Sequence, residues 1–178
     1  MQRRCRFHAG SVAVLLLGLA TAPCSAQVDP GDAPLVFAGF TPGDPLTRLA
    51  ATLREHEGHH LRCTRSRSDS TVQECHSSYT DSASRRSVEV WLSAIAENAA
   101  ILILKTEGSL AQLERWRGDL ITRYGRVSTR VQGPQRMMQW VRSGRMIRLT
   151  WRLDRAAPAI SVSLVDGHIL DGWGQKRE

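Results

Sequence analysis

Two stretches of this chain, 59 positions apart, align without a gap: VEVWLSAIAENAAILILKTEG (88–108) and IRLTWRLDRAAPAISVSLVDG (147–167). Ala100 and Ala159, Ile101 and Ile160, and Gly108 and Gly167 are identical. Each stretch alternates apolar and polar residues around a short polar break, the pattern of strand, turn, strand. A second correspondence lies upstream at a spacing of 67, where Leu46 matches Leu113, Leu53 matches Leu120 and Gly58 matches Gly125. Leu46, Leu49, Ala50 and Leu53 follow helical spacing, as do Leu110, Leu113, Leu120, Ile121 and Tyr124. A glycine after each stripe predicts a left-handed stop.

The helix starts carry their own signals. Asp44 reads as an N-cap with Pro45 at the first helical position, and Ser109-Leu110-Ala111-Gln112 fits a capping box. Between helix and matched block sits a further hairpin, 61–79 in the first half and 127–142 in the second. The drop in spacing from 67 to 59 places eight extra residues in the first half, around Thr80 to Arg86. The fold class expected is therefore α+β: two tandem repeats, each one helix followed by a four-stranded antiparallel sheet, with the helices packed on one face. The repeats span residues 37–108 and 109–173, with a flexible tether at 27–36 and a tail at 174–178.

The N-terminus reads as a leader. Arg3, Arg4 and Arg6 precede the apolar run Val12–Ala20, and Cys24-Ser25-Ala26 supplies small residues for cleavage. That run falls short of the ~20 residues a membrane span needs. Cleavage after Ala26 makes the protein secreted or periplasmic; lipidation of Cys24 is the alternative. The leader holds three of the 24 Lys and Arg residues and none of the 17 acids, so the net charge of +7 drops to +4. A surplus that small, nearly all arginine and spread along the chain, excludes nucleic acid as the expected partner of an exported protein.

Cys63 and Cys75 lie six residues either side of Asp69, opposite each other in the 61–79 hairpin. In an oxidising compartment this predicts a disulfide, with a rival reading as a reactive or metal-binding pair.

His56-Glu57-Gly58-His59-His60 matches H-E-x-x-H, in which two histidines one helical turn apart bind zinc and the glutamate activates water. A zinc-dependent hydrolase using Glu57 with His56 and His60 is thus an alternative reading. A non-catalytic metal site drawing on His56, His59, His60 or His76 is another. Against both stands Gly58, inside the motif where the second half has its stop. The matching residues Arg123-Tyr124-Gly125-Arg126-Val127 contain no ligand, and the position of a third metzincin histidine holds Ser66. Glu74 and His76 could offer a distant ligand, but they belong to the disulfide hairpin. The other reading is a polar helix end, where His suits the negative pole of the dipole. Asp166 and Asp171 read as turn residues, with Asp166-Gly167 a hairpin signal. No nucleophile elbow, P-loop or dinucleotide fingerprint occurs.

The order of elements over residues 37–173 resembles the tandem helix-plus-four-strand design of the β-lactamase inhibitor protein fold, a version of which small periplasmic outer-membrane assembly proteins share. Inhibitors of that family usually carry a disulfide hairpin in each half; here only the first half has the cysteines. The resemblance implies a binding protein and transfers no functional residue.

Where a partner would bind follows from alternation. Glu89, Trp91 and Ser93 fall on the face away from Val88, Val90 and Leu92, as Arg148, Thr150 and Arg152 do from Ile147, Leu149 and Trp151. Trp140, with Met138 and Arg142 on its own side, is assigned to the same open face. The expected site is Trp91, Trp140, Arg142, Arg148 and Arg152, residue types enriched at binding hot spots. The leading expectation is an exported non-catalytic protein that binds another protein or an envelope component, without a cofactor. An envelope assembly or structural factor differs from it only in its partner.

Overall fold

The computed structural model describes residues 34–153 and 157–175. The leader, Cys24 and most of the tether lie outside the described residues. Chain order is α1 (Leu46–Glu55), β1 (Arg62–Arg65), β2 (Val72–Asp81), β3 (Arg86–Ile95), β4 (Asn98–Glu107), α2 (Leu110–Tyr124), β5 (Arg130–Gln132), β6 (Gln135–Arg142), β7 (Arg145–Arg152), β8 (Ala159–Asp166) and α3 (Gly167–Gln175).

The strands form one antiparallel sheet in the order β1-β2-β3-β4-β8-β7-β6-β5. This corrects the expectation of two four-stranded units with helices on one face: the protein is α+β, but mostly one sheet, and it has a third helix. The reason lies at the centre. β4 and β8 pair over seven positions, Leu102 opposite Leu164 and Leu104 opposite Val162, all four buried. Two separate sheets would each leave this apolar strand with an unpaired edge, which costs backbone hydrogen bonds as well as burial. The outer strands, β1 and β5, are only four and three residues long and fully exposed.

Alternate residues of β2 to β4 and β6 to β8 point to one side and form a single core with the apolar faces of α1 and α2. Val88, Val90, Leu92, Leu102, Leu104, Ile147, Leu149, Ile160, Val162 and Leu164 are all buried, with Leu49, Leu53, Leu113, Trp116 and Leu120 from the helices. Each such side chain contributes roughly 1.5–3 kcal/mol when fully buried. The core also takes in part of the expected tether. Leu35 is buried, and Val36 donates its N–H to Tyr124 Oη at 2.6 Å while accepting from the same hydroxyl at 2.7 Å.

Asp44 does not cap α1. Pro45 is the N-terminal flanking residue, in extended backbone and paired with Asn98. The Asp44 carboxylate instead accepts from Thr41 N–H, because Gly43, Asp44 and Leu46 are stitched to the β3–β4 turn and the start of β4 by backbone hydrogen bonds. Ser109 does cap α2, its hydroxyl accepting from Gln112 N–H at 3.2 Å. The extra residues of the first half lengthen the β2–β3 hairpin and place Asp81 against α2, where it accepts from Arg115 Nη2 at 2.6 Å and Gln112 Nε2 at 3.4 Å.

Asp166-Gly167 opens α3 rather than a hairpin turn. Asp166 is buried, and its carboxylate accepts from Ile169 N–H at 3.2 Å and from Arg145 Nε at 2.7 Å. Each bond satisfies a carboxylate that burial would otherwise penalise. The expected tail starts inside this helix. Trp173 donates its indole N–H to Asp69 at 2.8 Å, tying α3 to the β1–β2 turn.

A candidate partner-binding face

The histidine motif is the first candidate to place. α1 ends at Glu55, with His56 as its flanking residue. Glu57 N–H donates to Arg54 O and Gly58 N–H to Leu53 O, the paired bonds of a Schellman stop. The left-handed residue is Glu57 at φ 54°, and Gly58 is not in that region, so the expectation that Gly58 supplies the turn is corrected. Gly58 is needed for space: a Cβ there would lie 3.0 Å from Leu53 O, Ser78 O and Tyr79 Cβ.

His60 therefore lies beyond the helix. His59 N–H already donates to Ser78 O, so this segment runs along β2. The i, i+4 geometry of a zincin is absent. His56 is occupied otherwise, its Nε2 donating to Ala38 O at 2.8 Å and its ring stacked on Tyr79 with centroids 4.7 Å apart. Burial raises the Tyr79 hydroxyl well above its ordinary pKa, and the charge of Asp81 adds to the effect. Among the described residues, no group of three or more His, Cys, Asp or Glu is placed to hold a metal ion. His59, His60 and His76 do share one groove, with Arg62.

Cys63 and Cys75 are directly paired across β1 and β2 and joined by a disulfide. Among the described residues, no helix is long and apolar enough to cross a membrane, which leaves strand-built crossings unaddressed.

The sheet side opposite α1 and α2 holds three of the five residues expected there. One cross-strand row runs His76, Trp91, Ile103, Ser163, Arg148, Gln139, each paired with the next. Trp91 is 48% exposed, large for a tryptophan outside an interface. It is held in place: the His76 ring meets it edge-on with centroids 3.9 Å apart, and its Nε1 donates to Glu89 at 3.3 Å. Glu89 also pairs with Lys105 at 3.5 Å. Arg148 lies half-buried, donating from Nε and Nη2 to Gln139 Oε1 at 3.2 and 3.0 Å. Arg152 sits on the same side, two pleats further along β7.

Trp140 and Arg142 belong to the other side. Trp140 pairs with Ile147, is 3% exposed and donates its indole N–H to Gly125 O at 2.9 Å. Arg142 reaches Tyr124 O at 3.4 Å and lies over the Tyr124 ring at 5.1 Å. Both fasten the end of α2 to β6, which corrects their placement on the open face. The register was within reach of the sequence. Ser143 and Gly144 take φ 45° and 69°, the two-residue hairpin turn that fixes Arg142 opposite Arg145 and hence Trp140 opposite Ile147. Both alternating sets on β6 hold apolar residues, so alternation alone could not choose between them. Alternation placed Glu89 on this face without naming it for the site, and His76 and Gln139, which contact Trp91 and Arg148, were not singled out for it. Their signal is cross-strand pairing, which needs the register.

No family model matches this chain, and neither a curated protein nor a solved structure matches it.

Proposed function

We propose that this is an exported, non-catalytic binding protein that engages another protein or an envelope component through the open side of its sheet. One observation carries the reading: Trp91 is half exposed yet packed against His76 and hydrogen-bonded to Glu89, in a row with Ile103 and with Arg148, which Gln139 orients. Large side chains fixed before contact lose little conformational entropy on binding, so they are effective anchors. Export is supported by the leader pattern and by the Cys63–Cys75 disulfide, which suits an oxidising compartment. An assembly factor of the envelope would use the same face.

The test is capture of a partner from envelope extract by the tagged protein. Capture should survive Arg54→Ala on the exposed side of α1 and disappear with Trp91→Ala combined with Arg148→Ala. Undiminished capture by the folded double variant would remove the open face from the account.

A further inference from the structure

The open face has two unlike halves. On β1 to β4 it carries Glu74, Glu89 and Glu107 alongside Arg62, His76 and Lys105. On β5 to β8 the same side carries Arg130, Arg148 and Arg152, neutral polar residues, and Met137, Val141, Met146 and Val165. No Asp or Glu lies on that half among the described residues. Arg148 sits at its centre, flanked by Gln139 and by Met146, whose sulfur accepts from Nη2 at 3.6 Å. Gln139 fixes the guanidinium but brings no charge. Among the described residues the arginine is thus oriented without a charged partner, the condition in which a carboxylate from outside gains most.

We infer that the partner of this face is a polypeptide whose contact surface is acidic, with apolar side chains interleaved, and that it docks on the β6–β7 half with Arg148 as its charge anchor. The inference rests on the open face being the binding surface. Charge complementarity selects the occupant. A membrane carrying anionic headgroups would present one sign to the whole plane and would meet Glu74, Glu89 and Glu107 together with the arginines. A polypeptide can place its acids over one half and apolar or basic groups over Trp91. Arg148 is also half-buried between Gln139 and Met146, suited to a side chain that comes to it and not to reaching a distant surface.

A random 12-residue peptide display library, selected on the full mature chain, tests this. Binders should be enriched in Asp and Glu beside apolar residues. They should bind at least about tenfold more weakly to Arg148→Glu and to the milder Arg148→Gln, and should weaken at raised salt. Arg54→Glu, the same charge reversal on the other side of the molecule, should leave them unchanged. Binders without an acidic excess that still depend on Trp91 would overturn the acidic partner and leave the open face standing. Binders indifferent to both Trp91→Ala and Arg148→Glu would sink both. Sedimentation with phosphatidylglycerol vesicles should show no Arg148-dependent binding; if it does, the partner is a membrane and the inference is wrong. Far-UV circular dichroism of each variant confirms the fold.

Discussion

The ends of α1 and α2 look alike in sequence and differ in physics. Both close on a glycine, 67 residues apart. At the second end Gly125 has φ 85° and ψ 168°, a region essentially closed to other residues, while among the described residues nothing beyond its own chain neighbours lies within 4 Å of where its Cβ would be. Its glycine supplies conformation. At the first end Glu57 takes the left-handed position, and Gly58 supplies room between the helix, β2 and Tyr79. The same letter at matched positions thus answers two different demands. It also decides the histidine motif, since the helix stops before His60.

The largest expected effect that would break this comparison is Gly58→Ala. Two of the three contacts at 3.0 Å are backbone carbonyls, which yield less readily than the tip of a flexible side chain. Overpacking there should cost about 3 kcal/mol in urea unfolding. A loss under ~1 kcal/mol would show that space is not what Gly58 provides. Gly125→Ala, with open space around it, should cost about 1–2 kcal/mol through backbone strain alone. Any larger residue should cost nearly the same, and a steep dependence on side-chain size would contradict the assignment.

Tyr79 provides a pH readout at the first helix end. Its folded-state pKa is raised, so the folded chain holds that proton more tightly than the unfolded one. The stabilisation is complete below the unfolded value near 10 and is lost as pH rises from there towards the folded value. Stability should fall above pH ~10 by up to about 1.4 kcal/mol per pH unit, and Tyr79→Phe should flatten that slope. An unchanged slope would mean that other groups dominate alkaline unfolding. The smallest effect is a gain. Glu57→Gly relieves a left-handed non-glycine residue at a cost in unfolded-chain entropy, for a net stabilisation of about 0.5–1 kcal/mol. Destabilisation would indicate that the Glu57 side chain holds something at the helix end.

Much of the secondary structure was legible because its signals are local. Ser109 caps α2, the Cys63–Cys75 pairing falls out of hairpin symmetry around Asp69, and alternation sorts Trp91 and Arg148 from the core. The failures share a cause. Trp140 and Arg142 could not be assigned by alternation, because Met138 and Trp140 on one side of β6 balance Met137 and Val141 on the other. Asp166-Gly167 reads as a turn until Arg145 is seen to neutralise Asp166 and free it to cap α3.

By itself the sequence determined the helix stripes, the hairpins and the disulfide pair, since each depends on residues close along the chain. Only the tertiary structure decided that β4 and β8 join the two halves into one sheet, that Gly58 is a spacer, and that Trp91 and Arg148 share one oriented row. Those outcomes depend on which distant backbones come within hydrogen-bonding reach, and local spacing carries no record of that.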